Sequence, residues 1–347
     1  MSRALVKTGW AAALLLGLSP ASVGHSAEAP HYKVAHRVLL GGEGGWDALT
    51  LDAPNHRLFL THGIKVQVVD VKTDSVLGEI PDTPGVHGVA LAPELNRGFT
   101  SNGRDSSVTM FDLMTLAVLG RIKLGARNPD AIEYDPASKR VFVFNGGSDN
   151  ASVIDAGAGT VVGSIPLGGK PEFAVADGKG TMFVNLEDSS AVVALDTKTL
   201  KPLHRWPLAP GEEPSGLAMD REHRRLFAGC SNKKLVVLDA DNGRVVSVLP
   251  IGERVDGVAF DAPLGLVFSS NGDGTLTVIH EDGPDAYTVV ENAPTQAGGR
   301  TLALDPTTGT VYIPTAEFGP PPAPTADRPH PRGAVLPGTF VLLEAKR

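Results

Sequence analysis

Short apolar runs recur along the whole chain, each bounded by turn-forming residues. Arg57-Leu-Phe-Leu60, Arg140-Val-Phe-Val-Phe144 and Arg225-Leu-Phe-Ala228 are of one kind. Val66-Gln-Val-Val-Asp70, Val192-Val-Ala-Leu-Asp196 and Leu235-Val-Val-Leu-Asp239 are of another. Their length, their β-branched and aromatic content and the Gly, Pro, Asn and Asp around them predict strands rather than helices.

The runs belong to a repeat. Trp46-Asp-Ala-Leu-Thr-Leu-Asp52 is echoed by Val86-His-Gly-Val-Ala-Leu-Ala92, Pro129-Asp-Ala-Ile-Glu-Tyr-Asp135 and Pro171-Glu-Phe-Ala-Val-Ala176. Pro214-Ser-Gly-Leu-Ala-Met-Asp220, Val255-Asp-Gly-Val-Ala-Phe-Asp261 and Gly299-Arg-Thr-Leu-Ala-Leu-Asp305 complete the series. Successive copies lie 40, 43, 42, 43, 41 and 44 residues apart. That period matches one four-stranded propeller blade. The line just quoted is the first strand, and the two kinds of run above are the second and third. Val76-Leu-Gly-Glu-Ile80 and Val245-Val-Ser-Val-Leu249 exemplify the fourth. The third strands end at Asp70, Asp112, Asp155, Asp196 and Asp239, with His280 and Glu344 in the last two blades. These acids are expected to cap the turn that follows. The fold class predicted is all-β, a seven-bladed β-propeller over residues 32–347.

The two ends complement each other. Three residues follow Glu344, so the last blade lacks a fourth strand. Tyr32-Lys-Val-Ala-His-Arg-Val-Leu-Leu40 precedes the first blade and reads as that missing strand. Closure of this kind removes the free edge at the seam. The last blade also carries a Pro-rich insertion, residues 317–338, which cannot hold a strand ladder and is expected to be an extended loop, a lid for one face.

Composition agrees. Forty Gly and 27 Pro suit a chain made of turns and disfavour a helical bundle. The net charge of −8 argues against nucleic acid as a partner. A single cysteine, Cys230, excludes an intrachain disulfide and any multi-cysteine metal site. Residues 1–27 resemble a signal peptide: Arg3 and Lys7 precede the apolar run Gly9–Leu18, and small residues follow. The expectation is a periplasmic or secreted monomer with no membrane span once the leader is removed.

Ala151-Ser-Val-Ile-Asp155, followed by Gly159-Thr-Val-Val-Gly-Ser-Ile165-Pro-Leu-Gly168, resembles the YVTN (YncE-like) propeller repeat. Leu235-Val-Val-Leu-Asp-Ala-Asp-Asn-Gly-Arg-Val-Val246 is similar to it as well. The resemblance implies an extracytoplasmic propeller and carries no catalytic set with it.

Chemistry is expected where first strands begin and second strands end, around the axis of one face. The first-strand positions are Asp47, His87, Asp130, Glu172, Ser215, Asp256 and Arg300. The second-strand ends include His62, Asn102, Asn145, Asn185 and Asn271. Two carboxylates about 6 Å apart repel by about 3 kcal/mol at an effective dielectric near 20, so the ring calls for protons, Arg300 or a cation. Asp47, His62, His87 and Asp130 are the expected ligands of a divalent metal ion, with mixed nitrogen and oxygen donors. Glu172, Asn145 and Asn185 form an all-oxygen set suited to Ca²⁺. The ligand-binding set is Asp47, His87, Asn102, Asp130, Asn145, Glu172, Asn185, Asp256, Asn271 and Arg300. The expected function is binding of a small molecule, a metal ion or an envelope protein at this face. The alternative is a cation-assisted hydrolase or lyase, lactonase-like, with His62, His87 and Glu172 as acid–base candidates.

Overall fold

The computed structural model describes residues 30–325 and 331–347, together with Met1 and Ala4. The leader assigned to residues 1–27 lies, but for those two positions, outside the described residues. Twenty-eight strands form seven antiparallel four-stranded sheets, so the protein is a seven-bladed β-propeller. In six blades the strands are consecutive in the chain. The first strand of each blade packs on the first strand of the next, and the seventh packs on the first, which closes the ring.

The seam is closed as the chain ends predict. Lys33–Leu39 pairs antiparallel with Val341–Lys346, with His36 opposite Glu344, and supplies the outermost strand of the seventh blade. Tyr32 anchors that strand. It is 2% exposed, its ring packs edge-on against Phe268, and its hydroxyl donates to Gly309 O at 3.1 Å.

Second and third strands are buried along nearly their whole length, because sheets cover both of their faces. Fourth strands are exposed along most of their length. The third-strand acids cap their turns. Asp70 accepts from the backbone N–H groups of Lys72 and Thr73, Asp112 from Met114 and Thr115, and Asp196 from Lys198 and Thr199. These bonds hold all three carboxyls below their ordinary range.

The first strand of the seventh blade is shorter than its repeat suggests. It spans Ala303–Asp305 and leaves Arg300 in the preceding loop. In the first blade the strand begins at Leu49, so Asp47 also precedes it. The described part of the insertion doubles back on itself: Phe318 bridges Val335, Gly319 N donates to Ala334 O, and Leu336 N donates to Glu317 O. Phe318 packs on Trp46, which also packs on Phe340. This ties the insertion to the axial face of the first blade. Among the described residues, no helix is long and apolar enough to cross a membrane.

Candidate functional site

The ring positions are aimed by backbone irregularity. In blades two to six the ladder between first and second strands slips within three residues of the strand start, at Val86/Gly88, Pro129/Ile132, Pro171/Ala174, Pro214/Leu217 and Val255/Gly257. Each bulge releases one residue from the pleat and turns it toward the axis. Those residues are His87, Asp130, Glu172, Ser215 and Asp256. Neighbouring blades fix the backbone at these points. Thr301 Oγ1 donates to Asp47 O at 2.8 Å, Ala48 N to His87 O at 2.9 Å, and Asn185 Nδ2 to Ser215 O at 2.9 Å.

Six of the seven side chains then form a connected arc. His87 Nδ1 lies 2.6 Å from Asp47 Oδ2 and 3.5 Å from Asp130 Oδ1. Asp47 Oδ1 lies 3.7 Å from Arg300 Nη2. Arg300 Nη1 bonds Asp256, and Asp256 accepts the Ser215 hydroxyl. Glu172 stands beside the arc and binds Lys170 Nζ at 2.9 Å; Lys170 also binds Glu187.

Charge and burial set the protonation of these groups. Burial alone would lower the His87 pKa, but the Asp47 hydrogen bond and the charges of Asp130, Asp47 and Glu172 outweigh it, and the net shift is upward. Burial raises the Asp130 carboxyl; His87 opposes that rise and Asp47 adds to it. Glu172 is raised by burial and by Asp130, against the pull of Lys170. Burial thus favours the protonated carboxyls of Asp130 and Glu172, and the carboxylates around His87 favour its imidazolium.

His62 does not join them, which corrects the expected four-residue metal set. Its side chain turns into the wall of the first blade, with Nδ1 3.0 Å from Gln67 Oε1 and the ring tilted against that of Phe340, centroids 4.2 Å apart. Burial lowers its pKa. What remains is Asp47, His87 and Asp130, whose ligand atoms lie within 4.8 Å of one another. A divalent cation fits this donor set by chemical type, yet Asp47 is already engaged by His87 and stands 3.7 Å from Arg300.

The asparagines are corrected too. Asn102, Asn145, Asn185 and Asn271 are fully buried struts. Asn102 Nδ2 donates to Ser107 and Thr109, Asn145 Nδ2 to Asn150 and Ser152, and Asn271 Nδ2 to Thr275 and Thr277. They lie one after another inside their blades, joining second strand to third. Asn185 instead reaches the first strand of the next blade. The Oδ1 atoms of Asn145 and Asn185, the oxygens expected beside Glu172, are buried with no hydrogen-bond partner among the described residues. Cys230 is buried and its thiol is pushed up to about 12 by that burial, so it is inert.

Three cavities meet at the arc. One of about 320 Å³ lies on the axial face, lined by Lys170, Glu172, Arg254, Asp256, Arg300 and Arg332 among others. A second, about 440 Å³, opens above blades one and two beside Trp46, His87 and Arg104. Its floor is Gly45, Gly63, Gly85 and Gly103, linked in series by backbone hydrogen bonds of 2.8–3.0 Å. The last of these leaves the imidazole its place: a Cβ on Gly103 would stand 2.7 Å from His87 Nε2. The third cavity is the central channel below the arc, about 560 Å³.

Several of these residues escape the repeat pattern. Lys170 and Arg254 precede their first strands, and Arg332 comes from the insertion. Among the described residues Arg254 and Arg332 make no ion pair; Arg254 bonds Gly272 O at 2.7 Å and Arg332 lies over the Phe318 ring at 6.0 Å. Burial, then the charges of Arg300 and Arg254, hold the Arg332 guanidinium below its usual value. Glu133 was also missed, although it has a sequence signal: it stands where the other repeats carry Thr50, Ala90, Val175, Ala218, Ala259 and Ala303.

No family model matches the chain, and no curated protein matches it. Solved structures do. A chain from a crystal structure of the mitotic checkpoint complex is 12% identical, with a TM-score of 0.74 over 99% of this chain and 99% of that one. The structure of U3-55K is 10% identical, with a TM-score of 0.73 over 90% of this chain and 99% of that one. At such identities the likeness is one of fold alone, and the fold that this chain shares with them is the propeller.

Proposed function

We propose that this chain is an exported propeller of the YVTN type that binds a small anionic ligand at its axial face. The observation that carries the reading is the convergence of Arg254, Arg300 and Arg332 on one cavity of about 320 Å³. Like charges are costly to gather, and two of the three lack an ion-pair partner among the described residues. A carboxylate or phosphate would relieve that repulsion and accept their fork of donors. The acids opposite, Glu172, Glu187 and Glu213, would suit a positive group on the same ligand. A cavity of this size holds a small metabolite rather than a polymer. Export and the family assignment are supported by the N-terminal leader pattern and the repeat residues.

A thermal-shift panel of small carboxylates and phosphates tests the binding. Stabilisation is expected with at least one of them, reduced in Arg332→Gln. No shift with any anion would refute the reading. Export is tested by N-terminal sequencing of the mature protein: a start within or before the apolar run Gly9–Leu18 would refute it.

A second reading, cation-assisted hydrolysis or lyase chemistry, rests on the three close donors Asp47, His87 and Asp130. They would hold a divalent ion that polarises a carbonyl, with Glu172 as acid–base partner. Metal analysis and a lactone and ester panel test it. Absence of stoichiometric metal together with no turnover would exclude it.

A further inference from the structure

The central channel has a chemistry separate from that of the ring above it. Its walls are the first strands of the blades, and Leu49, Leu91, Ile132, Phe173, Val258 and Leu302 give them an apolar character. Four carboxylates reach the cavity. Asp47 and Asp130 are engaged with His87 at its upper end. Asp52 is engaged with Arg57 and Asn55. Glu133 alone has no hydrogen-bond or ion-pair partner among the described residues. The nearest opposing charge is Arg221, whose guanidinium is spent on Ala176 O.

Glu133 is half-buried, and a carboxylate so placed against an apolar wall has only channel water, a proton or a cation to satisfy it. An inorganic divalent ion is a poor fit, because it needs several oxygen ligands and this stretch of wall supplies one carboxylate. A cation with an apolar body meets both requirements: its charge pairs with Glu133 and its body covers the leucine, isoleucine and valine side chains. Phe173 also lines the channel. The volume of about 560 Å³ is ample for such a molecule.

We propose that the axial channel is a binding site for a small organic ammonium ion, held by Glu133 within the apolar wall. The site shares Asp47, Asp130 and Phe173 with the anion cavity on the axial face, but neither Arg254 nor Arg332.

The test is calorimetric titration of the full chain with n-hexylammonium, and with 1-hexanol as the neutral match, at about pH 8 where Glu133 is ionised. The proposal expects saturable one-to-one binding of the ammonium, about tenfold or more tighter than the alcohol. In Glu133→Gln the ammonium should lose that advantage while the alcohol binds as before. Ammonium and alcohol binding alike in the wild type would overturn the proposal without recourse to any variant. So would absence of ammonium binding, or ammonium affinity unchanged in Glu133→Gln.

Discussion

His87 Nδ1 and Asp47 Oδ2 stand 2.6 Å apart, joining the first strand of the second blade to the segment that leads into the first blade. The contact is one link in an arc that continues through Arg300 and Asp256 to Ser215. Its most direct consequence is a basic imidazole. The His87 ring should titrate above the usual value of about 6.5, and Asp47→Asn should bring its pKa down. NMR titration of the His87 ring protons reads this. An unchanged pKa in the variant would mean that Asp47 does not set it.

Gly103 makes room for that imidazole. In Gly103→Ala the added methyl would stand 2.7 Å from His87 Nε2 and 2.9 Å from Cδ2, so the ring must move from Asp47. The expected result is a fold kept at a cost of about 1–3 kcal/mol, with the His87 pKa shifted toward the ordinary value. Chemical denaturation and the same NMR titration check it. A variant with wild-type stability and wild-type His87 titration would contradict the close approach.

Asn271 separates structural polar residues from ligand-binding ones. It donates to Thr275 at 3.1 Å and Thr277 at 3.0 Å and accepts from Ser269 at 2.9 Å, all inside the sixth blade. Asn271→Ala should cost about 1–3 kcal/mol, because buried hydroxyls lose their partners, and should leave anion affinity unchanged. Unfolding curves and a phosphate titration together decide the matter.

Glu133 should impose a pH dependence on stability. Its ordinary value is 4.5, and burial pushes it to about 7 in the fold, with Arg221 opposing. A raised carboxyl holds its proton more tightly in the native state than in the unfolded chain. Stability from this group is therefore full below about pH 4.5 and is lost as pH rises to about 7. Glu133→Gln removes the loss. The variant should melt with the wild type near pH 4 and above it near pH 8. Equal melting temperatures at both pH values would contradict the burial of this carboxylate.

The architecture was legible because blade after blade repeats the same local chemistry. The first-strand period, the capping acids and the complementary ends each follow from residues near one another in sequence. Asp47, His87, Asp130, Asp256 and Arg300 were legible as axial for the same reason. The second-strand ends were misread because strand parity is reset by the bulge. One extra residue in the first strand turns His87 or Asp130 to the axis while Asn102 or Asn145 stays between sheets. Arg254 and Arg332 escaped because neither holds a repeat position: one lies in an interblade turn, the other in the insertion. They meet because the insertion of the seventh blade lies beside the turn that leads into the adjacent sixth blade.

The central claim is an anion site built by that meeting. Calorimetric titration of the wild type and of the double variant Arg254→Gln/Arg332→Gln with malonate and with inorganic phosphate tests it most directly. Saturable binding of at least one of these anions to the wild type is expected, with a loss of about tenfold or more in the variant. Equal affinity in both proteins, or no binding of either anion to the wild type, would contradict it.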